Sequence, residues 1–551
     1  MKRILAVLAL AALLLTGCVR IPDSGPVMPA DPSNTPDRSG VEFIAEPPSD
    51  DASPEAIILG FLFAGVSPDD DYGVAREFLT DAAANSWNPA AAVMVRSGQP
   101  QVSMTGEATS EVAVTLTSRV DARGVMHNEE ASTTVLPFSL VQVDSQWRIS
   151  QAPDGILVSS FHFERLFRSL AVQWYTTDGE QFVPDQRWFP NDPTQVTSRT
   201  VDALLGGPAA WLESSVVSAA APGTVVVGGI ADRPGGGVAI TISSARPGAV
   251  TSQELSRFAL QVQRSLSGTG TGVVEVRVAG ADDVRGLSTD AVSPATDTLW
   301  PRPLMFDGEE LRVAESNGAL ITGMGERLSE IEATSYTLQP GSANPRMGAA
   351  HASGSVVWFD DGDMQEIADN VATDPSMDRF GSIWWADDGT DQRVTAWFEG
   401  LPQDFTLDIT GERVSAVEVS PEGARLAVVT SAQGATVVRL FGIVRVAGAP
   451  AQLVAGPSIV PTGGRAVDVV WNSFESLALV TMEDGVSQVR TLGLDGTVND
   501  LTAPPANVID VAASTGGGAV LGLTESGQLY SMATGRIVPF TGVTDGRFLT
   551  G

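Results

Sequence analysis

One short apolar pattern recurs through the second half of the chain, and it restricts the fold more than any other feature. Ala416-Val417-Glu418-Val419-Ser420-Pro421-Glu422-Gly423 leads into Leu426-Ala427-Val428. Ala466-Val467-Asp468-Val469, leading to Leu477-Ala478-Leu479-Val480, is a second copy. Val508-Ile509-Asp510-Val511, leading to Val520-Leu521-Gly522-Leu523, is a third, and weaker copies begin near Met347 and Met377. The last two pairs each run into a turn, Glu483-Asp484-Gly485 or Glu525-Ser526-Gly527, and then into another strand. A period of about forty to fifty residues with about four strands per unit is the signature of a β-propeller. Five blades can be counted over 287–551, three of them clear, and Glu309 to Ile331 is expected to make or close a sixth.

The N-terminus follows a different logic. Lys2 and Arg3 precede an uninterrupted apolar stretch, Ile4 to Leu15. That stretch is shorter than the ~20 residues a membrane-spanning helix needs, and it fits a secretory signal peptide over residues 1–17. Leu15-Thr16-Gly17-Cys18 follows at once and resembles a bacterial lipobox. Cys18 is therefore the expected lipidation site, carrying diacylglycerol and palmitate chains, each buried methylene contributing ~0.8 kcal/mol of anchoring. Cys18 is also the sole cysteine, so the body can hold no disulfide, zinc–thiolate site or thiol nucleophile. Residues 18–52 read as a tether rich in Pro, Asp and Ser. In polyproline geometry, at ~3.1 Å per residue, such a tether reaches roughly 90 Å. Val41-Glu42-Phe43-Ile44 interrupts the polar run with the pattern of an edge strand.

The formal net charge is −33, and removal of Lys2 and Arg3 with the leader makes it more negative. Nucleic acid is excluded as a partner, because phosphate binding needs clustered Lys and Arg. Electrostatic attraction to anionic lipid is excluded on the same ground. Lys2 is the only lysine, so the mature body cannot use a Schiff-base, general-base or phosphate-loop lysine.

Two α+β segments lie between tether and repeats. In 53–155, Ser53-Pro54-Glu55 is a helix start, Ile57, Ile58, Phe61 and Leu62 give an apolar face, and a second helix is expected around Gly73 to Leu79. Alternation follows at Val112, Val114, Leu116 and at Phe138, Leu140, with Trp147-Arg148-Ile149 closing the sheet. This order resembles the cone fold of nuclear-transport-factor-like domains. In 160–286, a hairpin turns at Asp178-Gly179, a helix runs from near Asp192-Pro193 to Leu205, and strands Val225 to Val227 and Val238 to Ile242 follow. Thr251-Ser252-Gln253-Glu254 is a capping box, Leu255, Phe258, Ala259, Val262 and Leu266 share a helical face, and Val273 to Val278 is a last strand. This order, with Leu204-Leu205-Gly206-Gly207-Pro208 and Pro222-Gly223-Thr224, looks like a GerMN domain.

The whole series resembles the LpqB family of lipoproteins. The most specific pieces are the lipobox followed by Ile21-Pro22-Asp23-Ser24, then Val183-Pro184-Asp185-Gln186-Arg187, and Leu204 to Pro208. Trp188 and Phe189 depart from the tyrosine expected after that second motif. The resemblance implies an accessory lipoprotein on the outer face of the cytoplasmic membrane. It further implies binding to the extracytoplasmic domain of a sensor histidine kinase of MtrA–MtrB type, with effects on envelope homeostasis and division.

No catalytic, cofactor-binding or metal residue is assigned. His127, His162 and His351 fall in three separate segments, and no Gly-x-Ser-x-Gly elbow is present. Asp360-Asp361-Gly362-Asp363 and Asp387-Asp388-Gly389 read as turns, and Asp69-Asp70-Asp71 as acids favouring a helix N-terminus. Trp384-Trp385 is a candidate binding surface: adjacent strand residues face opposite ways, so at least one ring is expected in the core and the other is only a candidate for exposure to a partner. Two alternatives stand beside the kinase-binding reading. One is an envelope scaffold that binds peptidoglycan or a wall hydrolase. The other is a carboxylate-dependent glycosidase using Asp361 and Asp387.

Overall fold

The computed structural model describes residues 45–192, 195–244, 250–289, 303–314, 320–341, 345–387, 392–409, 411–432, 435–461, 463–502, 504–513, 520–538 and 548–550. The architecture is a mixed α+β N-terminal region followed by a β-propeller. Cys18, most of the tether and Val41 to Ile44 lie outside the described residues.

Helix α1 (Pro54–Ala64) begins as expected, with the Ser53 hydroxyl accepting from Ala56 N–H and Pro54 in the first turn. Helix α2 spans Asp69–Glu77, but Asp70, Asp71 and Tyr72 have φ of 49°, 53° and 61°. The acids expected to complement a helix dipole thus form a left-handed turn instead, tied by an Asp71 carboxylate to the Arg76 guanidinium at 2.6 Å. A short α3 (Asp81–Ser86) follows, capped by Thr80. Strands β1 (Ala92–Met104), β2 (Thr109–Asp121), β3 (Met126–Val143), β4 (Gln146–Gln151) and β5 (Ile156–Ser159) form one sheet in the order β4-β3-β2-β1-β5. Trp147 to Ile149 therefore lies on one edge only. The other edge is β5, which pairs parallel to β1 and carries the sheet past residue 155.

The second α+β unit joins on directly. Helix α4 (Ser160–Leu166) leads into a hairpin of β6 (Phe167–Thr176) and β7 (Phe182–Pro190). Then come α5 (Val196–Gly206), β8 (Val216–Val217), β9 (Val225–Asp232), β10 (Val238–Ser243), α6 (Ser252–Ser265), β11 (Val274–Val278) and β12 (Ala281–Leu287). The capping box is complete: Thr251 and Glu254 each hydrogen-bond the other's backbone N–H. Leu255, Phe258, Ala259 and Val262 pack the buried face of α6 into a core shared with Trp174, Val183 and Leu212.

Among the described residues, six four-stranded sheets follow. The second blade begins at Ser335–Leu338, so the repeat starts one strand before Met347. The first strand there, Ser-Tyr-Thr-Leu, lacks the Val-acid-Val signature. Blades three to six open at Ser376–Met377, Arg413–Val419, Arg465–Ser473 and Val508–Ala513. The first blade joins Leu304–Phe306, Leu311–Val313 and Leu320–Ile321 to Phe548–Thr550, which pairs antiparallel to Leu304–Phe306. Part of the stretch expected to form or close a sixth blade is instead a helix, Met324–Ile331, and closure comes from 548–550. The innermost strands of neighbouring blades lie side by side and surround an axial channel.

Candidate functional site

The Val183 to Arg187 motif lies where three parts of the molecule meet. Asp185 and Arg187 are both buried and form a bidentate pair at 2.9 and 2.5 Å. The Asp185 carboxylate also accepts from Trp174 Nε1 at 3.3 Å and from Ala209 N–H at 2.8 Å, in the turn after α5. The Arg187 guanidinium donates to the Arg123 carbonyl at 2.6 Å, in the turn before β3. Next along, Trp188 Nε1 donates to the Asp495 carbonyl of the fifth blade at 3.1 Å. A pair so placed satisfies donors and acceptors that would otherwise be buried unmet. The pair and Trp188 together bind the first sheet, the middle unit and the propeller into one junction.

Other contacts extend that junction. Arg379, in the third blade, pairs with Asp178 and Glu180 at the tip of the β6–β7 hairpin. Trp211 lies on the outer strands of the fourth blade. A methyl group at Gly456 would sit 2.7 Å from its indole, so that position has to be glycine for the ring to seat. A cleft of about 450 Å³ remains between Ser169, Gln186 and Arg264 on one side and Glu475 and Asp495 on the other. Burial raises the Glu475 carboxyl above the usual range there.

The propeller axis is chemically different. A channel of about 230 Å³ is lined by Tyr336, Asp374, Met377, Glu418, Val419, Asp468, Val469, Asp510 and Val511, among others. Glu418, Asp468 and Asp510 occupy the acidic position of the repeat on the innermost strands of blades four, five and six. Three successive blades thus turn one carboxyl each toward the axis. Protein surrounds Glu418, and the charges of Asp468 and Asp374 add repulsion, so its pKa is pushed up to about 8. Asp468 is raised to about 6, mainly by burial and further by Asp374, against hydrogen bonds from Val511 N–H, Asp510 and Val469 N–H. Asp374 is exposed at the rim, where it accepts from the Ser335 hydroxyl. Tyr336 is 4% exposed, and its hydroxyl has no hydrogen-bond partner. Burial, followed by the charge of Asp510, raises its pKa well above the ordinary value.

The residues singled out from sequence fare unevenly. Trp384 and Trp385 do face opposite ways, but both are buried. Trp384 packs between blades three and four, with its Nε1 on Asp378. Trp385 packs between blades two and three, with its Nε1 on Asp387 at 3.1 Å. Each face of an inner blade is covered by a neighbouring blade, so alternation exposes neither ring. The Asp360 carboxylate accepts from Gly362 and Asp363 N–H at 2.8 and 2.7 Å, closing a turn, and these bonds lower its pKa. Asp361 pairs with Arg346, and Asp387 with Arg393 at 2.7 Å. His127 lies 3.5 Å from Asp121, His162 bonds Ser159, and His351 lies near Thr334 and Asp374. Among the described residues no three His, Cys, Asp or Glu side chains form a metal-sized group. The channel acids stand in plain view in the repeat, but their spacing alone marks only its period.

Residues 47–164 match the family described as the N-terminal domain of lipoprotein LpqB, and residues 350–537 match the LpqB β-propeller domain. The chain belongs to the LpqB lipoprotein family. Its LpqB relatives include "Lipoprotein LpqB" of Cutibacterium acnes, 28% identical over 77% of this chain and 76% of that one. The Streptomyces avermitilis relative is 26% identical over 93% and 92%. That of Mycolicibacterium smegmatis is 25% identical over 92% and 91%. Among solved structures, TolB from Acinetobacter baumannii overlaps 60% of this chain and 82% of its own, at 13% identity and a TM-score of 0.33. That likeness is too slight to say anything further about an LpqB protein. No described helix is long and apolar enough to cross a membrane.

Proposed function

We propose that this LpqB-family chain is an extracytoplasmic binding lipoprotein, held on the outer face of the cytoplasmic membrane by acylated Cys18, and that it acts by docking and not by catalysis. Its modules are taken as 53–155, 160–286 and 287–551, with β5 added to the first. The observation that carries this reading is the buried Asp185–Arg187 pair, whose bonds run to the first sheet and the turn after α5 while the adjoining Trp188 holds the propeller. Modules fixed in this way offer a partner one composite surface. The favoured partner is the extracytoplasmic domain of a sensor histidine kinase of MtrA–MtrB type, and the support for it is family resemblance.

Crosslinking in intact membranes followed by affinity capture tests this. A sensor kinase should be recovered with the native chain and lost with Cys18→Ser, which leaves the protein unanchored. Recovery of wall glycan alone would overturn the kinase reading in favour of an envelope scaffold. Hydrolysis of wall glycan that disappears in Asp361→Asn and Asp387→Asn would overturn docking in favour of a glycosidase.

A further inference from the structure

We propose that the axial channel of the propeller is a binding site for an organic cation, one carrying an ammonium or guanidinium group on a short apolar stem. Four carboxyl groups serve this one cavity: Glu418, Asp468 and Asp510 along its wall and Asp374 at its rim. An acidic cluster alone can be mere solubility, but this one has a second feature. Tyr336 lines the same cavity, and its hydroxyl is buried, has no partner, and is close enough to Asp510 to feel its charge. A buried hydroxyl left unmet is destabilising, and a bound donor group in the channel would remove that cost.

The wall also selects the kind of cation. The carboxyls come from different blades and form no cluster of three that a metal ion could bridge. Between them lie Val419, Val469, Val511 and Met377, which suit methylene groups better than a hydrated ion. An ammonium or guanidinium group has three to five donors to share among separated acceptors. The repeat explains why the site is one-sided. The corresponding strands of blades two and three read Ser335-Tyr336-Thr337-Leu338 and Ser376-Met377, which carry no carboxyl.

The groups that face one another in the channel set a second expectation. Glu418 sees Asp468, Asp374 and the Ser376 hydroxyl; Asp468 sees Asp374 and Asp510. Burial, with mutual repulsion added to it, keeps protons on part of this set when no cation is bound. A cation entering near neutral pH takes the place of such protons, which leave to solvent. Binding should therefore tighten as pH rises from 6 to about 8. This site does not depend on which macromolecule docks outside, so its failure and the failure of kinase capture are separate results.

Isothermal titration of the full chain with agmatine and with putrescine tests the proposal, with calcium as the inorganic arm. Saturable one-to-one binding is expected, with heats that vary with buffer ionisation enthalpy because protons are released. Glu418→Gln and Asp468→Asn should each weaken binding at least tenfold, and Asp361→Asn should not. Tyr336→Phe removes only the orphaned hydroxyl and should weaken binding several-fold without unfolding the blade. If the carboxyl variants do not fold, the tyrosine variant decides, and unchanged affinity overturns the proposal. Absence of saturable amine binding, calcium binding in place of amine binding, or amine binding untouched by all the channel variants would overturn it equally.

Discussion

The first sheet and the propeller are both folds that can enclose a cavity, and this chain treats them oppositely. The cone interior is packed solid. Phe61 meets Trp87 edge-on at 5.1 Å and Phe138 at 6.2 Å, and only about 10 Å³ is left among them. The propeller axis stays open and is lined with carboxyl and hydroxyl groups. The contrast teaches that topology only offers a cavity, and that the side chains projecting into it decide whether it becomes a core or a site. Aromatic rings in the cone gain contact energy from every neighbour, whereas acids on the axis repel one another and resist collapse.

That contrast can be broken, beginning with the largest effect. Phe138→Ala should open the cone and cost about 3–5 kcal/mol, read as a lower denaturation midpoint; a loss below about 1 kcal/mol would mean the interior is looser than its ring geometry indicates. Arg187→Met removes the pairing cation of buried Asp185 and should cost a similar ~3–5 kcal/mol. It should also split thermal unfolding into separate transitions, visible by calorimetry, as the first sheet and propeller lose their shared junction.

Glu418→Gln probes the axis. The folded-state pKa of Glu418, about 8, lies above the ordinary carboxylate value. The native state therefore keeps a proton that the unfolded chain gives up. The contribution of this one group is whole below about pH 4 and is lost as pH rises toward 8, by at most ~1.4 kcal/mol per unit. The glutamine variant carries no such slope, so its advantage in melting temperature should grow from pH 5 to 8 and then level off. A constant difference across that range would show that channel water fully solvates the carboxylate. Smallest of all, Tyr336→Phe removes the unmet hydroxyl and should raise stability by about 1 kcal/mol, the low end of what such a buried group costs. A clear loss would reveal a hydrogen bond at that hydroxyl.

Legibility from sequence followed the same division. Blades four to six announced themselves because their innermost strands share apolar-acid-apolar spelling, and the capping box at Thr251 and Glu254 needed only local rules. The left-handed turn at Asp70 to Tyr72 was hidden, since an acidic run beside a helix looks alike in either hand. β5 was hidden because its partner β1 lies far back in the chain. Trp385 was misjudged because alternation rules assume one wet face, and a blade between two blades has none. The role of Asp185 and Arg187 could not be read from their spacing, as their partners at Trp174, Ala209 and Arg123 are brought in by three different segments.

The pairing of 548–550 with Leu304–Phe306 has a consequence in time. All the other blades are built from strands close together in sequence, so each can assemble soon after it emerges. The first blade must wait for a segment from the other end of the chain, and contacts between such distant stretches are the slowest to form. Until that strand arrives, the circle is a crescent with two unprotected edges, and bare edges invite pairing with strangers. The moment of greatest danger for this molecule is thus the interval before its ring shuts, and whatever guards newly made copies must act then.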